Sequence, residues 1–217
     1  MIGRFHWLGG LYRHVGFVLA LSIANVCVIS TVSAQSLDNS VRTVERFQDG
    51  LIAVMRDGNK LGFDGRRMRL GELLKAEFDV EFIVDVLLGS GIKTLTKEDR
   101  SQLKAAVFGY AAAALAGAFT TYAGERFVTG RVSRLRSGKS RVRSDFFEGN
   151  GRRYKVNLVL RSQAGRWRIV DLWFDGISGV RIYQAEFRSV LARSSAQALV
   201  AELQRRTRTF ESSEPNN

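Results

Sequence analysis

The spacing of apolar positions changes twice along the chain. Over residues 37–55, Val41, Val44, Phe47, Leu51 and Met55 recur every three or four positions, the pattern of one helical face. Asp38 or Ser40 can cap this helix, and Asp57-Gly58-Asn59 ends it. A Gly-rich stretch at 60–66 reads as a connector, and 70–78 and 80–88 read as short helices, the second broken by Gly89-Ser90-Gly91. Thr96 followed three residues later by Asp99 is an N-terminal capping pattern and opens the longest helix, 97–122. Its apolar stripe is Leu103, Val107, Tyr110, Ala114, Leu115, Ala118, Phe119 and Tyr122. The centre of that helix, 111–118, is almost wholly small side chains, which either admit another element closely or leave room for a guest.

Beyond Gly124 the period becomes 2, and four segments separated by turn residues read as antiparallel strands: 125–136, 140–148, 153–161 and 166–174. In the third, Tyr154, Val156, Leu158 and Leu160 share one face, and Lys155, Asn157 and Arg161 the wet one. The fourth is apolar on both faces in its second half, where Ile169 and Trp173 alternate with Val170, Leu172 and Phe174. Such a strand is covered on both sides or borders a cavity. From Val180 the period is helical again, through Tyr183, Phe187, Val190 and Leu191, with a break at Ser194-Ser195 before Leu199, Val200 and Leu203. Residues 211–217, with the only proline, have the composition of a disordered tail. The order predicts one α+β domain over 35–210: N-terminal helices and a long helix on a curved antiparallel sheet of about four strands, closed by a C-terminal helix.

The first 34 residues have the layout of a cleavable export signal: Arg4, His6, Arg13 and His14, an apolar run from 15 to 29, then Val32-Ser33-Ala34. Cleavage is expected between Ala34 and Gln35. The apolar run falls short of the roughly 20 residues that span a bilayer. Lipid attachment at Cys27 is disfavoured because Ala24-Asn25-Val26 lacks the small residues usual at both positions before such a cysteine. Cleavage would remove the only cysteine and both histidines, and with them disulfides, thiolate or imidazole metal sites and any His-dependent triad. No metal site or cofactor is expected. Of the formal charge of +12, Arg4 and Arg13 contribute two, leaving +10 on the exported part. That charge predicts an anionic partner. An exported protein rarely meets nucleic acid, so anionic lipid headgroups and acidic envelope proteins are expected in its place.

The remaining chemistry is sparse. Asp171 and Asp175 interrupt the apolar end of the fourth strand and are the candidates for a general base in a small isomerase or hydrolase. The alternative is structural: a carboxylate capping the Gly176-Ile177-Ser178-Gly179 turn or pairing with an arginine. The aromatic residues favour a carrier of acyl chains over an enzyme acting on a small polar substrate. Candidate cavity residues are Leu115, Phe119, Tyr122, Phe127, Phe146, Tyr154, Val156, Leu158, Trp167, Ile169 and Trp173. An ordinary core is the competing reading of the same aromatics. Arg152, Arg153 and Lys155 are the candidates to meet a lipid phosphate.

These residues carry a resemblance. Tyr122-Ala123-Gly124-Glu125-Arg126-Phe127, then Gly165-Arg166-Trp167-Arg168-Ile169-Val170-Asp171 with Asp175-Gly176-Ile177-Ser178, resemble the MlaC family of periplasmic lipid-binding proteins, also called toluene-tolerance proteins. Phe78-Asp79-Val80, Leu88-Gly89 and Leu95-Thr96 are similar to it as well, so that the likeness runs from about Val41 to Leu203. Leu61-Gly62-Phe63-Asp64-Gly65-Arg66 resembles the hopanoid-associated HpnM branch. Tyr183-Gln184 departs from the family, which often has Tyr-Arg there. The resemblance implies an NTF2-like fold with an apolar cavity and no catalytic residues. It implies a shuttle for phospholipid, or hopanoid in this branch, that maintains outer-membrane lipid asymmetry. The implied partners are an inner-membrane ABC transporter with its periplasmic lipid-binding subunit, and an outer-membrane lipoprotein–porin complex. A ligand-free docking module for acidic envelope proteins is the third reading of the charge.

Overall fold

The computed structural model describes residues 37–212; the expected export signal with Cys27 and both histidines, and residues 213–217, lie outside the described residues. Six helices and a five-stranded sheet make up the described chain: α1 (residues 37–56), α2 (Gly58–Glu77), α3 (Val80–Leu88), a 3-10 turn (Gly89–Thr94), α4 (Lys97–Ala118), β1 (Arg126–Arg134), β2 (Ser140–Phe147), β3 (Arg153–Gln163), β4 (Arg166–Phe174), β5 (Ile177–Ser178), α5 (Gly179–Arg193) and α6 (Ala196–Ser212). The strands form an antiparallel meander in chain order. This is the α+β arrangement expected from the two changes of period, and α6 continues two residues into the segment read as a tail.

The helical layer departs from expectation at 60–66. That segment is part of α2, which is kinked at Gly62 (φ 61°, ψ −176°), a conformation open to glycine and costly to other residues. Helix resumes because Phe63, Arg66, Leu70 and Leu74 then bury a common face. Arg66 is 3% exposed, and its guanidinium donates to the carbonyls of Ala116 (3.1 Å) and Gly58 (3.3 Å), satisfying acceptors at the end of α4 and the start of α2. Gly58 has a steric reason as well: a Cβ there would lie 1.7 Å from the Thr120 carbonyl oxygen. Ser40 does not cap α1; it is buried and its hydroxyl bonds that of Ser140 at 2.9 Å.

Thr96 caps α4 as its spacing predicts, accepting from the Asp99 N–H at 3.0 Å while its hydroxyl donates to the Asp99 carboxylate at 2.7 Å. The helix stops at Ala118, four residues before the expected end, and Phe119 leaves it with φ −111° and ψ 72°. The stripe therefore follows Leu103, Val107 and Tyr110 into Ala112, Ala113 and Ala116, while Tyr122, beyond the helix, is exposed. Ala112, Ala113 and Ala116 belong to the main core with Phe63, Leu70 and Leu74 of α2. A second core lies between α3, α4, α5 and α6, around Val84, Leu87, Leu103, Phe187, Leu199 and Leu203.

In β4 the pairing shifts between Val159 opposite Asp171 and Leu160 opposite Ile169, so Val170 is an extra, bulged residue. The bulge exchanges the two faces. Trp167 and Ile169 point inward before it, and Leu172 and Phe174 after it, which is why the strand reads as apolar on both sides. The junction of α2 and α3 is pinned to this strand: the Asp79 N–H donates to the Ile169 carbonyl at 2.9 Å, and the Arg168 guanidinium donates to the carbonyls of Lys75 and Phe78. Among the described residues no helix is long and apolar enough to cross a membrane.

Candidate functional site

Where the helices leave the sheet, packing is incomplete. A cavity of about 660 Å³ lies between α1, the end of α4 and the inner face of β1–β4, walled by Leu51, Leu115, Phe119, Phe127, Phe146, Val156, Leu158 and Phe174. A second, of about 320 Å³, lies between α3, α4, α5 and β4, walled by Phe78, Ile83, Val107, Ala111, Ala114, Val180 and Phe187. Phe47, Leu115 and Leu172 belong to both walls, so the two spaces adjoin across three side chains. The small-residue centre of α4 serves both purposes open from the sequence. Ala112, Ala113 and Ala116 pack against α2, while Ala111 and Ala114, on the neighbouring face, leave the smaller cavity its room.

The polar side chains Gln48 and Glu148 of the larger cavity's wall are hydrogen-bonded. Gln48, 3% exposed, donates to the Ser144 hydroxyl (2.8 Å) and accepts from Thr129 (2.9 Å). Glu148 accepts from the Tyr154 hydroxyl at 2.9 Å and from Asn150 at 3.1 Å. In the smaller cavity the Tyr110 and Tyr183 hydroxyls lie 3.1 Å apart. Burial, reinforced by that hydrogen bond and partly opposed by Arg206, pushes the Tyr110 phenol up to about 12. The larger cavity ends at the β2–β3 turn and the α4–β1 connection, where Ala123, Gly149 and Asn150 are exposed and form its mouth.

Leu115, Phe119, Phe127, Phe146, Val156 and Leu158 thus line the larger cavity. The other sequence candidates do not. Tyr122 is exposed beneath the Arg56 guanidinium, 5.0 Å from its ring centre. Tyr154 stands behind the wall, its ring 4.9 Å from Phe174 and 6.3 Å from Phe146. Trp167 and Ile169 are packed into the core at the opposite end of the strands, where Thr43 of α1 reaches the Trp167 carbonyl. Trp173 faces outward, beyond the bulge.

The headgroup candidates are displaced for a simpler reason. Arg153 and Lys155 occupy the odd positions of β3, so they lie on the outer face, across the sheet from Tyr154 and Val156. Arg152 remains near the mouth, with its guanidinium 5.0 Å from the Tyr154 ring centre. Wall residues absent from the sequence candidates include Phe47 and Leu51 of α1, Phe78, Leu172, Phe174, and those of α3, α5 and the middle of α4. A cavity between helices is a shortfall in packing, which periodicity does not encode; the small residues of α4 and the two-sided apolar pattern of β4 are its signals in the sequence.

Asp171 lies on the wall of the smaller cavity, and both it and Asp175 accept hydrogen bonds from within the chain. Asp171 accepts from the Ser178 hydroxyl at 2.7 Å and the Val180 N–H at 3.3 Å, and Ser178 in turn accepts from the Arg181 N–H, closing the start of α5. Asp175 accepts from the Lys155 N–H at 2.8 Å, holding the β4–β5 turn to β3. Gln184, where the family often has arginine, donates to the Val86 carbonyl at 2.9 Å and ties α5 to α3. Among the described residues no group of three metal-ligating side chains occurs.

The sequence pattern of the MlaC protein family matches residues 45–205. A solved structure of a phospholipid-binding protein from Ralstonia solanacearum, in complex with a phospholipid, has the same fold: TM-score 0.67 at 17% identity, covering 79% of this chain and 98% of that one. No curated protein matches the sequence. Since the family match runs from α1 into α6 and takes in every residue that lines the two cavities, the chain belongs to the MlaC family.

Proposed function

We propose that the chain is a non-catalytic periplasmic carrier that encloses the acyl chains of a membrane lipid and shuttles it between an inner-membrane ABC transporter complex and the outer membrane. The observation that carries this reading is the pair of adjoining apolar cavities, 660 and 320 Å³, inside a fold of this family. Each methylene moved from a bilayer into water costs about 0.8 kcal/mol, so a lipid crosses an aqueous space only where an apolar cavity replaces its surroundings. The walls supply such surroundings, with Gln48 and Glu148 already hydrogen-bonded to residues around the cavity. The Ralstonia relative of the same fold holds a phospholipid. Phospholipid is accordingly the proposed cargo, or hopanoid if the Leu61–Arg66 segment marks the HpnM branch.

The test is to purify the exported protein from a hopanoid-producing cell, extract it with organic solvent and identify the lipids by mass spectrometry. The carrier reading expects near-stoichiometric lipid, and the branch reading expects hopanoid among it. An empty protein that also fails to take lipid from vesicles would refute the first, and phospholipid alone the second.

A further inference from the structure

The outer face of the sheet, across from the cavities, holds a shallow concave surface of about 580 Å³. Arg131 of β1, Arg141 and Arg143 of β2, and Arg153 and Lys155 of β3 line it, with Asp145 as its one carboxylate. Asp145 is committed to Arg153, at 2.8 Å. Among the described residues, Arg131, Arg141 and Arg143 form no ion pair, and Lys155 stands opposite Asp145, whose carboxylate is taken by Arg153. The excess positive charge gathered on this one face favours an anionic partner there.

We propose that this face docks the protein on the anionic phospholipid headgroup layer of a membrane, in the orientation that brings the mouth of the larger cavity to the lipid. The cations do not converge on one point, as they would around a single phosphate. They spread over β1, β2 and β3 on one face, the two-dimensional distribution suited to a headgroup layer. Trp173 borders the same surface with the Arg181 guanidinium 5.6 Å from its ring centre, and a tryptophan beside cations is the side chain favoured at a bilayer interface. β1 and β3 begin, and β2 and β4 end, at one end of the sheet. There Arg126, Arg153 and Lys155 stand on the outer face beside the β2–β3 turn that forms the mouth. Arg153 and Lys155 thus belong with the membrane's phosphates more than with the cargo's, while Arg152 stays at the mouth. The purpose of this docking rests on the carrier reading, but its geometry does not.

The exported chain is floated with vesicles of phosphatidylcholine alone and with vesicles containing phosphatidylglycerol, over a range of salt. Binding is expected to the anionic vesicles only and to weaken as salt rises. The variant Arg141→Glu/Arg143→Glu, remote from both cavities, is expected to lower partitioning by about 30-fold or more. It should retain its extracted lipid, which separates this proposal from the carrier reading. Equal binding to neutral vesicles, undiminished binding of the variant, or an equal loss in the charge-matched variant Arg42→Glu/Arg208→Glu on the helices would each overturn it. So would binding of poly-glutamate without binding of anionic vesicles, which would assign the face to an acidic protein.

Discussion

Filling the smaller cavity from α4 tests what that space is for. Ala111 and Ala114 lie three apart on one face of the helix and both line the cavity. The variant Ala111→Leu/Ala114→Leu adds six carbons to a space of about 320 Å³. At about 0.8 kcal/mol per buried methylene, six carbons represent roughly 5 kcal/mol. Imperfect fit returns at least about 1 kcal/mol per side chain as strain, leaving roughly 3 kcal/mol and a Tm rise on the order of 10 °C for the delipidated protein. The same six carbons exclude a comparable length of acyl chain from the loaded protein. Two measurements are made on one preparation: thermal unfolding after delipidation, and mass spectrometry of the lipids retained before it. The cavity account expects a more stable empty protein and a bound fraction shifted toward shorter or fewer chains. An unchanged lipid profile would refute the assignment of this space to cargo, and a destabilised empty protein would refute the presence of usable room.

The other expected outcomes are local. Gly58→Ala sets a methyl group against the Thr120 carbonyl oxygen, and should cost at least about 3 kcal/mol in urea unfolding or abolish soluble expression; a near-neutral effect would contradict the close approach of α2 to the end of α4. Asp171→Asn weakens the bonds from Ser178 and Val180 and is expected to cost roughly 1–2 kcal/mol while lipid content stays unchanged, so loss of cargo without loss of stability would point to a direct role. Tyr110 has its phenol held up at about 12 against 10 when unfolded. The folded state therefore keeps the proton more tightly: this contribution is fully present below pH 10 and is lost as pH rises toward 12. Tyr110→Phe should flatten that alkaline decline in stability, and a tyrosinate absorbance titration should lose its latest-titrating phenol.

The strand half of the fold is legible because alternation is nearly complete where one face is wet. Tyr154, Val156, Leu158 and Leu160 announce both β3 and its inner face, and they place Lys155 on the other face as clearly. The same parity assigns Arg153 to the outside, so of the three headgroup candidates only Arg152, which precedes the strand, stays near the mouth. The bulge at Val170 was not legible, since one inserted residue changes the parity without changing composition, and it carries Trp173 away from the cavity it was expected to line. In the helices, Thr96 and Asp99 mark the start of α4 because a cap is a local hydrogen bond. Its end was hidden, because what stops the helix at Ala118 is a tertiary fit: the chain turns at Phe119, and Thr120 lies against Gly58. Gly62 and Gly65 look like a connector, yet one positive φ at Gly62 leaves the Phe63, Arg66, Leu70 register intact. Arginine counts as polar in any pattern, so the burial of Arg66 against the end of α4 emerges only once both helices are in place.

The most direct test of the central claim is to load the protein with a phospholipid that carries a diazirine along one acyl chain, irradiate it, and map the labelled peptides. The account predicts labels on the peptides that contain Phe47 to Leu51, Leu115 to Phe119 and Leu172, the walls shared by or adjoining the two cavities. Labels confined to the outer face around Arg141 and Arg143, with none on those three segments, would contradict it.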